Sequence, residues 1–297
     1  MIKGILAALD GSSAAEVAAG NASLVARWFG AKLRGLFVND SAEQARLAAL
    51  PVTPGTPIGG AVTPSVLVNL EELEREAAKR RAEVADYFSR LCRQAGLPEG
   101  ELETLRGRPA ECIVRLSRQV DLVSLGRSGL DTGPDKRAIG STTEAVLHHT
   151  NKPVLVSSKQ LLGQVCLTRT GSTNQLPGPI LVAYDGRNPA NTALAVAGQF
   201  AEVRGLELIV LTVAEQENQA QPLFEEARNY LAAHGQEARF LWEKGPLTQA
   251  VLSQLEATGA GLVAMGAFGK SRLREVFLGS HTRRVLLACD CPVLLTC

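Results

Sequence analysis

The chain repeats itself, and this constrains its fold more than any other feature. Ile5-Leu-Ala-Ala-Leu-Asp10-Gly11 returns as Ile180-Leu-Val-Ala-Tyr-Asp185-Gly186. Asp121-Leu-Val-Ser-Leu-Gly126 returns as Gly261-Leu-Val-Ala-Met-Gly266, and Pro153-Val-Leu-Val156 as Pro292-Val-Leu-Leu295. The matches keep their order, so whatever architecture one half adopts, the other adopts too. The pattern predicts a first domain over 1–160, a linker over 161–178 and a second domain over 179–297. Residues 168–178 (TRTGSTNQLPG) are rich in turn formers and carry the linker reading. At 297 residues the chain has ample length for two domains, each with its own core.

The halves differ in length. Asp10 to Gly140 spans 130 positions, and Asp185 to Gly279 spans 94. One extra residue falls in a glycine loop described below, and the rest fall between Val38 and Gly126. The excess is assigned to an insertion at about 39–69. No charged residue occurs from Leu47 to Leu70. A tolerated insertion is the favoured reading of this segment; a covering loop or a partner surface are the others.

Strand and helix signals alternate in both halves. Apolar runs at Ile5–Leu9, Leu33–Val38, Leu102–Leu105, Leu122–Leu125 and Val154–Val156 read as strands. Their counterparts are Ile180–Ala183, Leu208–Val213, Ala238–Leu241, Leu262–Met265 and Val293–Leu295. Helical spacing fits Val17 to Trp28, with Ser13 and Glu16 as a capping box. Leu70, Leu73, Ala77, Val84, Phe88 and Leu91 trace one face of a long charged helix. Further helices fit 109–118, 142–149, 189–204, 223–233, 246–257 and 282–287. Such alternation implies an α/β fold, a parallel sheet with helices on both faces. Ligands in such sheets sit beyond the carboxyl ends of the strands.

Those ends carry the chemistry. Asp10 and Asp185 follow the first strand of each half, where a carboxylate can accept a hydrogen bond from a base amine. The fourth strands run into Gly126-Arg-Ser-Gly129, ten residues, then Gly140-Ser141-Thr142-Thr143, and into Gly266-Ala-Phe-Gly269, nine residues, then Gly279-Ser280-His281-Thr282. Glycines let backbone approach a ligand, and amides at a loop and a helix N-terminus suit an anion. The hydroxyls of Ser141, Thr142, Thr143, Ser280 and Thr282 are read as additional donors. Arg127, Lys136, Arg137, Lys270, Arg272 and Arg274 flank the loops, as phosphate partners or as a solvated face.

On these residues the chain resembles the universal stress protein family in its tandem form, whose signature is Gly-x2-Gly-x9-Gly-(Ser/Thr) with an acidic residue after the first strand and a closing Pro-Val-Leu-Val-like strand. The resemblance implies two five-stranded, Rossmann-like domains of the adenine nucleotide alpha hydrolase type, strand order 3-2-1-4-5. It implies an adenine site near Asp10 and Val38, and near Asp185 and Val213, with Met265 also among the nucleotide-binding residues. It implies phosphates along Gly126, Gly129, Gly140 and Ser141, and along Gly266, Gly269, Gly279 and Ser280, with ATP the ligand and Mg²⁺ or Mn²⁺ accompanying it. It also implies that the last strands, Val154–Val156 and Val293–Leu295, pair to make an intramolecular pseudo-dimer. Two departures stand out. The first loop has one residue too many and contains Pro134. The second has His281 at a position that is commonly small and apolar, and Phe268 between its glycines. On that ground the second half is expected to hold the more secure phosphate site.

The function expected is a nucleotide-binding regulatory protein of the stress response without efficient catalysis, with a regulatory protein partner and a further homodimer open. No catalytic base set is evident, and the G-x-x-x-x-G-K-[ST], His-x-Gly-His and Ser-Gly-Gly-x-Asp-Ser strings are absent. Alternatives are an interaction scaffold that binds no nucleotide and a slow ATPase. A net charge of +1 argues against nucleic acid as partner. No apolar run reaches the roughly 18 residues of a membrane span, and the first run ends at Asp10, so a cytoplasmic protein without signal peptide is expected. Six cysteines without a C-x-x-C pair read as free thiols, and His148-His149 as a helix end.

Overall fold

The computed structural model describes residues 1–40, 64–98, 100–130, 138–158, 162, 178–267 and 279–297, with residues 64–73 as helical backbone. The first half contains β1 (Gly4–Leu9), α1 (Ser13–Phe29), β2 (Lys32–Asp40), α2 (Pro64–Gln94), β3 (Leu102–Gly107), α3 (Pro109–Ser117), β4 (Leu122–Gly126), α4 (Ser141–His149) and β5 (Val154–Ser157). The second contains β6 (Ile180–Ala183), α5 (Asn188–Arg204), β7 (Leu208–Val213), α6 (Glu217–Ala233), β8 (Arg239–Glu243), α7 (Leu247–Thr258), β9 (Leu262–Gly266), α8 (Ser280–Ala288) and β10 (Val293–Thr296).

All ten strands join one sheet in the order β3-β2-β1-β4-β5-β10-β9-β6-β7-β8. Each half therefore has the 3-2-1-4-5 order that the resemblance implied. Within a half every pairing is parallel. The halves meet where β5 and β10 pair antiparallel, Val156 opposite Val293 and Val154 opposite Leu295. These two strands are edges in an isolated half, and pairing removes both edges at once.

Strands β1, β4, β5, β6, β9 and β10 are buried on both faces, which is why they read as unbroken apolar runs. One apolar layer packs α1, α2, α5 and α6 on one face, the other packs α3, α4, α7 and α8 on the opposite face, and each runs through both halves. At the seam Phe200 of α5, 1% exposed, meets Phe29 of α1 at 5.2 Å and Trp28 at 6.4 Å between ring centroids, both edge-on. The Arg204 guanidinium lies 5.0 Å from the Trp28 ring centroid. Edge-on aromatic pairs contribute about 0.5–1.5 kcal/mol each beyond area burial.

Polar ties reinforce the seam. Arg127, just after β4, is buried and donates through Nη1 to the Leu286 carbonyl at 2.9 Å and the Cys289 carbonyl at 3.4 Å. These are last-turn acceptors of α8 without helical partners, and a cation there also suits the helix dipole. Burial pulls the guanidinium below its ordinary pKa, with Asp290 and Cys289 opposing. The corresponding carbonyl of α4, Leu147, accepts instead from the Cys297 thiol at 2.9 Å. Arg283 of α8 also reaches Glu144 of α4 at 3.2 Å.

Two local expectations are corrected. Ser12, not Ser13, caps α1: its Oγ accepts from the Ala15 amide at 3.3 Å, and its own amide donates to Asp10 Oδ1 at 2.8 Å. The acid after β1 thus sets where the helix starts. In the second half α6 begins at Glu217 and runs through Pro222, held by a reciprocal Gln216–Gln219 capping box; the proline had masked its first turn in the sequence.

Candidate functional site

A cavity of about 170 Å³ opens at the carboxyl ends of β1, β2 and β4 in the first half. Asp10, Val38, Gly126, Gly129, Gly140, Ser141, Thr142 and Thr143, the first-half residues singled out from sequence, all lie on its wall. They come from four separate stretches of chain, and the sheet order brings them together.

Asp10 is held by the loops around it. Its Oδ1 accepts from the Ser12 amide, and its Oδ2 from the Leu130 amide at 3.3 Å. A carboxylate offers about four lone-pair sites, so acceptor capacity remains for a ligand donor. Gly11 follows at φ +88 and Gly186 follows Asp185 at φ +74, backbone that disfavours a side chain.

Gly126, Gly129 and Gly266 stand where a Cβ would crowd a neighbour. None of Gly126, Gly129, Gly140, Gly266 and Gly279 has positive φ. A Cβ on Gly126 would lie 2.9 Å from the backbone of Ala14 and Ala15, so the glycine lets β4 close against the first turn of α1. A Cβ on Gly129 would lie 2.8 Å from Asp10 Oδ2. The absence of a side chain at Gly129 thus leaves room for the Asp10 carboxylate as it stands.

The anion-binding potential sits at α4. Gly140 is its N-cap, with no side chain capping the turn, and its own amide donates to the Arg127 carbonyl at 2.9 Å. The first intrahelical bond runs from the Glu144 amide to the Gly140 carbonyl. The amides of Ser141, Thr142 and Thr143 thus have no acceptor within the helix, and all three residues border the cavity. The Thr143 hydroxyl is a different matter. It donates its proton to the Gly126 carbonyl at 2.7 Å and latches the helix to β4, so it adds no donor for a ligand. Thr282 does the same to Ala267 at 2.6 Å.

Arg127 is corrected as well. The residue after Gly126 was a phosphate-partner candidate, yet its side chain crosses the seam to α8 and leaves the loop. The apolar floor includes Leu36, Ile113 and Leu125, which the sequence reading did not select. It also passed over Glu76, Ala77 and Arg80 of α2, which roof the cavity. Arg80 shares the helix face already traced through Ala77 and Val84, three and four positions away, and that was the available signal.

The roof has no counterpart of equal length. α2 has 31 residues and α6 has 17, and both end two residues before a glycine at φ +67, Gly96 and Gly235. The excess is therefore at the N-terminal end of α2. Part of the insertion is thus helix; residues 41–63 lie outside the described residues.

In the second half, Asp185 and Val213 end β6 and β7 as expected. Asp185 accepts from the Arg187 amide at 3.2 Å and pairs with the Arg187 guanidinium at 3.4 Å, an interaction with no equivalent at Asp10. Met265 is buried in the core below the strand end, at the position of Leu125. Gly266 packs against Pro189, 2.9 Å from where its Cβ would be. Gly279 is the N-cap of α8 without a side-chain cap, leaving the amides of Ser280, His281 and Thr282 with no helical acceptor. Gly269, Phe268, Lys270, Arg272 and Arg274 lie outside the described residues, as do Pro134, Lys136, Arg137, Cys166 and most of the linker.

Among the described residues no group of three or more His, Cys, Asp or Glu side chains is arranged to hold a metal ion. No described helix is long and apolar enough to cross a membrane.

Comparison with known proteins agrees with this geometry. The model of the universal stress protein family matches residues 1–158 and 216–296. A universal stress protein of Synechocystis sp. is 26% identical over 299 residues, 99% of each chain. One of Thermus aquaticus is 31% identical over 131 residues, covering 39% of this chain and 96% of its own. Among solved structures, a universal stress protein from Archaeoglobus fulgidus DSM 4304 superposes with a TM-score of 0.72 at 22% identity, over 99% of this chain and 95% of that one. A functionally unknown protein of Pseudomonas aeruginosa PAO1 superposes with a TM-score of 0.60 at 16% identity, over 99% and 92%. The repeated strand order, the paired last strands and a family match in both halves lead to one conclusion: the chain is a tandem-form member of the universal stress protein family.

Proposed function

We propose that the protein binds an adenine nucleotide, ATP in the first instance, in the first half, and that it acts as a regulatory protein of the stress response without efficient catalysis. The observation that carries this reading is the α4 N-terminus: three amides without helical acceptors border a cavity that also holds Asp10 and an apolar floor. An anion suits the amides, a flat apolar base suits Leu36, Ile113 and Leu125, and an exocyclic amine suits the remaining lone pairs of Asp10. Mg²⁺ or Mn²⁺ would arrive with the phosphates, since the described wall offers scattered carboxylates and no ligand cluster. The first half is preferred over the second, against the expectation from loop length, because Asp185 is already paired with Arg187.

Calorimetric titration of the full chain with MgATP tests the reading. The expected result is saturable binding that Ser141→Pro, which removes one first-turn amide while remaining compatible with a helix start, weakens several-fold. Unchanged heat on addition of MgATP, together with no nucleotide in mass spectra of small molecules released from the purified protein, would overturn it in favour of a ligand-free scaffold.

A further inference from the structure

The roof contributed by α2 changes the charge of the cavity. Among the described wall residues there are three carboxylates, Asp10, Asp40 and Glu76, and one cation, Arg80. Arg80 is half-buried. Its Cγ and Cδ lie 3.4 and 3.7 Å from where a Gly11 Cβ would be, so its aliphatic stem packs over the turn that follows Asp10. Glu76 stands four residues earlier on the same helix, yet no ion pair joins the two. Within the described residues Arg80 has neither a hydrogen bond nor a salt bridge; Arg75 and Arg81 are likewise unpaired, but Arg80 alone among the described cations stands on the cavity wall. A cation held on a cavity wall beside carboxylates, its stem fixed and its guanidinium unspent, is placed to meet an anion brought by a ligand.

We propose that Arg80 is a specificity-determining residue of the first-half site, pairing with the phosphate of a bound nucleotide and thereby making the site prefer a nucleotide over its nucleoside. This rests on the nucleotide-binding reading given above and adds to it the part of the ligand that α2 recognises. Without Arg80 the charged side chains on the described wall are carboxylates only, which repel an incoming phosphate. The α4 amides and neutral side chains such as the Ser141 and Thr142 hydroxyls are then the described donors that remain. Arg80 acts as a charge and a fork of donors, so Lys retains the charge and loses the fork.

The test is titration of the full-length protein with MgATP and, separately, with adenosine, for wild type, Arg80→Gln and Arg80→Lys, with thermal melts to verify folding. The expected result is a loss of about tenfold in MgATP affinity for Arg80→Gln with adenosine affinity changed less than about twofold, and a partial recovery for Arg80→Lys, the size expected when one charge-assisted contact is removed. Raised salt should weaken MgATP binding to wild type more than to Arg80→Gln. Equal loss for MgATP and adenosine, which would indicate stacking of Arg80 on the base, overturns the proposal, and so does an unchanged MgATP affinity; both leave nucleotide binding itself intact. Failure of the wild type to bind MgATP overturns the proposal and the reading beneath it together.

Discussion

The two halves share a fold down to individual caps, yet they treat the same position in opposite ways. After β4 stands Arg127, which leaves its own loop and crosses the seam to the end of α8; after β9 stands Ala267, buried and with no side chain to send across. After β1, Asp10 is held by two backbone amides; after β6, Asp185 accepts one backbone amide and lies 3.4 Å from the Arg187 guanidinium. Over β2 a 31-residue helix roofs a cavity, and over β7 the helix has 17 residues. The duplication preserved what the sheet needs, namely strand order, close-packed glycines and threonine latches. The halves differ in the side chains around the strand ends.

The largest expected effect tests whether the halves are one cooperative body. Phe200→Ala empties a pocket lined by Trp28 and Phe29 of the other half and should cost about 3–5 kcal/mol in urea denaturation. A loss below about 1 kcal/mol would break the comparison, because each half would then stand on its own core. Next comes the unequal capping of the two helices. Arg127→Met strips a buried donor from two α8 carbonyls and should cost about 2–3 kcal/mol, whereas Cys297→Ala, at the matching α4 carbonyl, should cost under about 1 kcal/mol. Equal costs would mean that the seam is symmetric in energy despite its residues. The glycines should then show where the halves agree. Gly126→Ala and Gly266→Ala each force a Cβ to 2.9 Å from a neighbour and should cost about 1–2 kcal/mol apiece, Gly126 the more because its neighbour is backbone.

The smallest effect is acid sensitivity. Burial raises the Asp121 carboxyl, but the amides of Lys3 and Gly4, with Lys152 and the N-terminal charge, outweigh it and leave the group below its ordinary value. A depressed carboxyl stabilises the fold above its unfolded pKa of about 3.9 and loses that contribution as pH falls through the folded value. Gly261 occupies the equivalent place in the second half and bonds Pro179 through its amide. Asp121→Asn should therefore lower the unfolding free energy measured in urea near pH 6 by less than about 1 kcal/mol, the group being part-exposed, with the gap to wild type closing toward pH 3. A gap that stays constant with pH would assign the loss to geometry.

Much of this architecture is legible in the sequence because sheet burial is local. Every strand from Ile5–Leu9 to Val293–Leu295 appeared as an apolar run within two residues of its observed ends, and the repeat supplied the strand order through the family resemblance. All the first-half positions chosen for the site border the cavity, because the strand ends that carry them converge in any sheet of this order. What escaped was set by distance in the chain. Nothing near Gly126 tells that Arg127 turns away, since its acceptors lie on α8 in the other half. Nothing near Gly129 tells that the glycine makes room for Asp10. Arg80 was one of many charges on a long polar helix, and only the packing of its stem over Gly11 separates it from the rest.

The antiparallel join of β5 to β10 has one more consequence. Because each half is parallel within itself, the strand ends that carry the two loops point toward opposite rims of the molecule. The two strand-end faces therefore open on opposite rims and share no single cleft. Between them runs α8, nine residues and roughly 13 Å long, whose N-terminus lies at the second rim and whose last turn is capped by the guanidinium that Arg127 sends across.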